Sequence, residues 1–348
     1  MLNCILRAKY FLSALLIVVL RSESQDFHYT QFFNSPLTLN PALTGFTRGS
    51  FRLGAAYRTQ WFSVTSSSFF NSMYATPSFF VDAPIMIGKD AIGLGGLFVS
   101  DQTGSGLLNS FTGCFSAAFI KTLDKKNNHR LSAGVQVGFS NKQVRAANLK
   151  YSSQFIGATY IPSLSNGENF DELSINMLNM NTGLLWFGRI SKRTIIYAGT
   201  SFFNVLQQRD GFIQTSLKRW FLRWNFHSAV DITVGRLVHL IPGLFYMSQV
   251  QTNQMMPSLI TAYDITPVAT IAVGAFVRTN NFFNQRISAD AVSAYFSFDY
   301  KGFKFGASYD VTISDLQKKT IDYGALELTL IYLGRRRSND GIVFCPIF

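Results

Sequence analysis

Residues 219–235, RWFLRWNFHSAVDITVG, alternate between two kinds of side chain. The even positions carry Trp220, Leu222, Trp224, Phe226, Ser228, Val230, Ile232 and Val234; the odd positions carry Phe221, Arg223, Asn225, His227, Ala229, Asp231, Thr233 and Gly235. Successive strand side chains point to opposite sides of a sheet, so a period of two makes a β-strand with one apolar and one polar face. Wound as a helix, the same residues would set Arg223, His227 and Asp231 among the tryptophans. The apolar face of such a strand must meet either a packed core or lipid.

The N-terminus favours export. Residues 1–24 open with Arg7 and Lys9, run through the apolar stretch FLSALLIVVL and close on Ser22, Glu23 and Ser24, the pattern of a secretory signal peptide cut before Gln25. The apolar stretch is far short of the roughly 20 residues that a membrane-spanning helix needs. Cys4 lies ahead of it, where a lipoprotein cysteine cannot be. After cleavage Cys114 and Cys345 remain, too few for a disulfide scaffold, although the two could bridge. The chain is 47% hydrophobic and 15% aromatic, with 34 Phe, and only 14% charged. Apolar residues spread in alternation, never in long runs, suit a transmembrane β-barrel. The net charge of +12 suggests nucleic acid at first sight, but export and the apolar alternation exclude it and point to anionic lipid headgroups or an acidic partner.

After an irregular segment, 25–50, with turns at Asn34-Ser-Pro36 and Asn40-Pro41, alternating stretches follow at 51–59, 66–76, 91–100, 107–121, 130–144, 176–188, 193–205, 219–235, 237–249, 254–263, 268–278, 288–300, 302–311 and 322–333. That is about fourteen strands, an even number as single-chain bacterial barrels require. Links after strands six, eight, ten and twelve are short and those after strands five, seven, eleven and thirteen are longer, the sorting that outer-membrane barrels show, with short turns in the periplasm and long loops outside. Two links break the rule: 77–90 is long on the even side and 250–253 short on the odd side. The longest, 145–175, is a candidate external docking loop. The polar faces place Arg58, Gln136, Arg223, Asn225 and Asp231 inward, where Arg223 and Asp231 could satisfy one another across the lumen. The tryptophans read as an interfacial girdle.

Catalytic and metal-binding motifs are missing. His28, His129, His227 and His239 are scattered without ligand spacing, and no nucleophile elbow or phosphate loop occurs. Gly93, Gly95 and Gly96 lack the context of a dinucleotide site and read as relief of crowding within a strand. The expectation is a non-enzyme without cofactor or metal.

The stretch QDFHYTQFFNSPLTLNPALTG resembles the opening of the PorP/SprF family of the type IX secretion system. Tyr57-Arg58-Thr59-Gln60-Trp61, Ser100-Asp101 with Gly104, Ser308-Tyr309-Asp310, Ser314-Asp315-Leu316, and the tail Arg335-Arg336-Arg337 followed by Cys345-Pro346-Ile347-Phe348 also match that family's motifs. Phe27 stands where the family usually has proline, and Ile347 where a basic residue is common. The resemblance implies an outer-membrane barrel that binds a large secreted adhesin by its type IX C-terminal sorting domain. Such a barrel supports the adhesin's export or non-covalent surface attachment, with gliding motility as one outcome, alongside the secretion machinery and within lipid and lipopolysaccharide. A passive channel is the alternative. Candidate partner-binding positions are His28, Gln31, Asn40, Pro41, Arg58, Gln60, Trp61, Asp101, Arg223, Asp231, Arg335, Arg336, Arg337, Cys345, Pro346 and Phe348. The expected organisation is a signal peptide at 1–24, a periplasmic segment at 25–50, an all-β barrel at 51–333 and a basic periplasmic tail at 334–348.

Overall fold

The computed structural model describes residues 26–60, 74–104, 108–144, 151–165, 174–212, 219–250, 252–282, 288–313 and 324–335. Fourteen antiparallel strands close into one barrel. In chain order these are β1 (Arg52–Gln60), β2 (Ala75–Ile87), β3 (Asp90–Thr103), β4 (Leu108–Thr122), β5 (His129–Val144), β8 (Ser174–Ser191), β9 (Thr194–Phe203), β10 (Arg223–Val234), β11 (Val238–Gln249), β12 (Thr252–Thr266), β13 (Ala269–Phe282), β14 (Ser288–Tyr300), β15 (Phe303–Thr312) and β16 (Gly324–Leu333). A separate hairpin of β6 (Phe155–Ile156) and β7 (Thr159–Tyr160) lies in the link between β5 and β8. Neighbours in sequence pair, and β1 closes on β16 from Arg52 opposite Leu333 to Gln60 opposite Ala325. Closure removes the edges of the barrel sheet, which hydrocarbon demands because it offers no water to satisfy backbone groups.

The alternation runs in the sense a membrane requires. On β10, Arg223, Asn225, His227, Ala229 and Asp231 are buried, whereas Trp224 is 39% and Val234 52% exposed. On β4, Phe111, Phe115 and Phe119 point out while Cys114, Ser116 and Ala118 point in. A water-soluble sandwich would bury the aromatic face. Here the polar face is inside, so the apolar face meets lipid.

Two corrections follow. The second described strand is Ala75–Ile87, which runs well past the expected end at 76; residues 66–73 of the expected strand lie outside the described residues. Pro77 and Pro84 read as strand breakers, yet both hold ladder positions, opposite Tyr57 and Gly93. The supposed long link 77–90 is therefore mostly strand, turning at Gly88 with φ +62°. Exceptions to the sorting of loops remain: the link from Gln249 to Thr252 is short on the long-loop side, and 104–107 on that side is shorter than 123–128 on the other. The second correction concerns residues 26–47, expected beside the barrel in the periplasm. They fill its lumen instead, with Thr30, Gln31, Leu37, Asn40, Ala42 and Thr44 fully buried.

Candidate functional site: a filled lumen between two mouths

Asp26 lies at the long-loop end. Its backbone N–H donates to Gln249 Oε1 at 2.9 Å, and its carboxylate accepts from Trp220 Nε1 at 2.9 Å and Asn204 Nδ2 at 2.7 Å. From there the chain crosses the lumen as three single turns, Phe32–Asn34, Pro36–Leu39 and Pro41–Leu43. Pro36 and Pro41 suit first helical positions because φ is preset and no N–H is wasted. Asn40 caps the last turn, its Oδ1 accepting from Ala42 N at 2.9 Å. The chain leaves at the short-turn end, where Ser50 N donates to Gly334 O at 3.1 Å.

The plug meets two kinds of wall. On the side of β15, β16 and β1, the Glu327 carboxylate accepts from the backbone of Thr30 and Gln31, each at 2.8 Å. Arg58 bridges Glu327 at 3.1 Å and Asp310 at 2.9 Å and donates to Thr30 Oγ1 at 2.8 Å. Asp310 also takes Arg278 at 2.9 Å. Gln31 adds Nε2 bonds to Ser308 Oγ at 3.1 Å and Glu327 O at 3.0 Å. On the side of β8 to β14 the contact is apolar. Phe32 stacks on Phe245 with centroids 5.1 Å apart, and Phe33 on Phe276 at 6.0 Å and edgewise on Tyr295 at 5.4 Å. Leu39, Leu43 and Phe46 join Leu185, Phe187, Ile241, Met247 and Met256 in one buried cluster. Each such side chain contributes about 1.5–3 kcal/mol on leaving water.

Wall glycines admit the plug backbone. A Cβ at Gly134 would collide with Pro41, at Gly183 or Gly199 with the Asn40 amide, and at Gly93 with the Thr44 carbonyl. Asn40 Nδ2 lies 2.9 Å from Leu184 O, 3.2 Å from Thr200 O and 3.1 Å from His227 Nε2, so that imidazole nitrogen is the acceptor. Serines complete the fit, Ser201 Oγ donating to Leu39 O and Ser132 Oγ to Ala42 O, both at 2.7 Å.

Plug residues help to line a cavity at each mouth. The one at the short-turn end holds about 800 Å³ and has an acidic side, where His239 lies 2.9 Å from Asp231 and 3.4 Å from Asp264. Arg48, Arg52, Asp299, Lys301, Lys304 and Arg335 line the rest of its charged rim. The cavity at the long-loop end holds about 110 Å³ beside the Lys142–Asp210 pair at 2.7 Å.

Of the candidate residues, His28, Gln31 and Arg58 come together where the plug meets the wall, and Asn40 with Pro41 sits further along it. Asp101 and Arg223 line the long-loop cavity, and Asp231 and Arg335 the short-turn one. Gln60 ends β1 at the long-loop side. Trp61, Arg336, Arg337, Cys345, Pro346 and Phe348 lie outside the described residues, as does the signal peptide. Arg223 and Asp231 do not pair with each other: eight residues apart on one face, they are separated by roughly 26 Å at strand rise. Arg223 faces Asp26 at 3.6 Å, and Asp231 faces His239. Trp220 is no girdle residue but holds Asp26. Among the described residues Cys114 is buried and forms no disulfide; Cys345 lies outside them. Glu327, Arg278 and Arg52 escaped the sequence reading. Glu327 was accessible to it as the lone acid on the inward face Ala325, Glu327, Thr329.

An inside-out, closed, even-stranded barrel with sorted loops defines an outer-membrane β-barrel protein. Solved structures of that class resemble it. A mutant of the TodX monoaromatic hydrocarbon channel superposes with a TM-score of 0.54 at 10% identity, over 88% of this chain and 95% of that one. The Ralstonia pickettii toluene transporter TbuX gives 0.51 at 11%, over 87% and 94%, and the CymD monoaromatic hydrocarbon channel 0.52 at 10%, over 88% and 94%. These similarities establish the fold alone. No curated protein matches the sequence. Residues 21–332 match the family of type IX secretion system membrane proteins PorP/SprF, and the chain belongs to that family.

Proposed function

We infer that this barrel is a receptor and not a conduit. It holds a large secreted adhesin by its type IX C-terminal sorting domain at the external mouth, and so supports the adhesin's export, its surface attachment or both. Gliding motility is a downstream outcome where the adhesin drives it. The filled lumen carries this reading. A plug bonded to most of the wall, with glycines cut to its backbone, leaves recognition at the mouths as the barrel's work, and it weakens the passive-channel alternative. The reading involves no catalytic step. The long-loop end is the face offered to the adhesin, and the short-turn end, with its charged cavity and Arg335, is the face offered to the secretion machinery.

Affinity purification of the tagged barrel from detergent-solubilised outer membrane tests the reading. Recovery of a large secreted protein through its terminal domain is expected, and deletion of 152–169 is expected to weaken it. Recovery of the barrel alone, from cells shown to express such proteins, together with a steady open conductance in planar bilayers, would return the channel reading. Asp26 at the long-loop end gives a second check. An epitope placed between Gln25 and Asp26 is expected to bind antibody on intact cells, whereas the same epitope at Gly88-Lys89 is expected to bind only after permeabilisation.

A further inference from the structure

The short-turn cavity lies where the chain leaves the barrel. β16 ends at Leu333, whose N–H donates to Gly302 O at 2.8 Å. Gly334 is held beside the start of β1, its N–H donating to Phe51 O at 2.9 Å and its carbonyl accepting from Ser50 N at 3.1 Å. The next residue, Arg335, already lines the cavity. Apolar side chains there include Phe33, Ile195, Pro267, Val268, Ile331 and Leu333. Phe33 belongs to the buried cluster of the lumen and Ile195 packs against it. Charges of both signs surround these groups, and the side chains of Asp264 and Asp299 stay 35% and 31% exposed. The volume of about 800 Å³ is roughly five times that of a dry engineered cavity of about 150 Å³ that accepts benzene, so several large side chains fit at once.

The sequence beyond Arg335 falls into three parts. Arg336 and Arg337 are basic, Ser338-Asn339-Asp340-Gly341 has the composition of a turn, and Ile342-Val343-Phe344-Cys345-Pro346-Ile347-Phe348 is uncharged and apolar throughout. A turn at that place sends the apolar run back towards its own root. Seven consecutive apolar residues at the aqueous end of a barrel need cover. The thirteen residues 336–348 reach at most about 43 Å, and a tether of that length presents its far part at an effective concentration on the order of millimolar. A partner in trans must compete with that supply.

We propose that the short-turn cavity is the seat of this chain's own segment 342–348. The large apolar side chains Phe344, Ile347 and Phe348 cover the apolar lining, and Arg336 and Arg337 lie beside Asp264 and Asp299 at the rim. Pro346 restricts the unseated chain, so less freedom is lost on docking. Because Phe33 is part of the plug, the two ends of the chain meet on one surface. Secretion machinery that engages this end meets the seated segment as part of that surface. The proposal is independent of the receptor reading, since no adhesin enters it.

The test uses the purified full-length barrel in detergent, with Cys114→Ala so that Cys345 is the one native thiol after the signal peptide is cut. A second cysteine is placed either in the cavity, Val268→Cys, or in the exposed turn between β4 and β5 at the same end, Lys125→Cys. After brief oxidation, an intramolecular disulfide with Cys345, seen as a reducible mobility shift on denaturing gels, is expected to form at least ten-fold faster with Val268→Cys. Phe344→Ser combined with Phe348→Ser leaves the wall untouched and is expected to bring that rate down to the Lys125→Cys level. Heat-modifiable gel mobility confirms that each variant is folded. With no cysteine added to the wall, the same two serines are expected to speed maleimide labelling of Cys345 several-fold. Equal crosslinking at the two positions would overturn the seat, as would a labelling rate that the serines leave unchanged. A product of twice the mass in place of the intramolecular one would also overturn it, by putting a second copy's segment in the cavity.

Discussion

The two halves of the lumen hold the same plug by different physics. Around β15, β16 and β1 the grip is ionic, with Arg58 set 2.9 Å from Asp310 and 3.1 Å from Glu327 and all three side chains nearly inaccessible. Around β8 to β14 it is apolar, with Phe32 and Phe33 stacked on the wall. Apolar contact is tolerant, because hydrophobic groups of similar volume substitute for one another at small cost. A buried ion pair is intolerant, because removing one member strands the other in a medium that cannot solvate it. The ionic half therefore sets where the plug sits, and the apolar half supplies much of the area that keeps it there.

The largest effect is expected from Arg58→Met. Asp310 keeps Arg278, but Glu327 is left with backbone donors alone, and a loss of about 3–5 kcal/mol is expected from the temperature at which the folded band disappears on gels. Adding Glu327→Gln removes the stranded charge while keeping an acceptor for one of the two backbone N–H groups, and is expected to recover more than half of that loss. A pair of substitutions no better than Arg58→Met would mean that the ionic half contributes mainly by packing.

Next come the polar contacts that hold the plug within the mainly apolar side, on β8 to β10. Asn40→Ala takes a donor from Leu184 O, Thr200 O and His227 and an acceptor from Ala42 N, for an expected cost of about 1–3 kcal/mol on the same assay. Gly134→Val leaves the ladder intact but places a side chain against the Pro41 backbone. Its expected result is a displaced plug, seen as new conductance in planar bilayers where the wild-type barrel is silent. Silence in the variant would show that the plug shifts without opening a path.

The contrast also explains what the sequence made legible. Strand alternation is local, so the barrel, its strand number and the inward set Arg58, Gln136, Arg223 and Asp231 could be read from residues two apart. The plug could not. NSPLTLNPALTG has no period and looks like a run of turns, and the room for its backbone is made by Gly93, Gly134, Gly183 and Gly199 on β3, β5, β8 and β9, which only closure brings to one surface. The ionic half was half legible: Arg58 and Asp310 stand within recognisable motifs, while Glu327 is a single acid in an otherwise ordinary strand. The expected pairing of Arg223 with Asp231 failed on strand rise, an argument available from the sequence alone.

The smallest effect belongs to the apolar half. Met247 is buried in the cluster around Phe245 and Met256, lines a pinhole of about 20 Å³ under Phe32, and is hydrogen-bonded to nothing through its side chain in the described contacts. Met247→Leu keeps volume and hydrophobicity, so the plug loses neither area nor a partner, and a change of about 1 kcal/mol or less is expected. The folded-band assay used for Arg58→Met measures it on the same scale. If Met247→Leu were to cost as much as Arg58→Met, the apolar wall would be keyed to individual side chains in the way the ionic wall is, and the division between a half that positions and a half that adheres would be lost. A small effect keeps that division, and it implies that the apolar side chains packed on Phe32 and Phe33 can be exchanged for others of similar volume while the plug stays in register with Glu327.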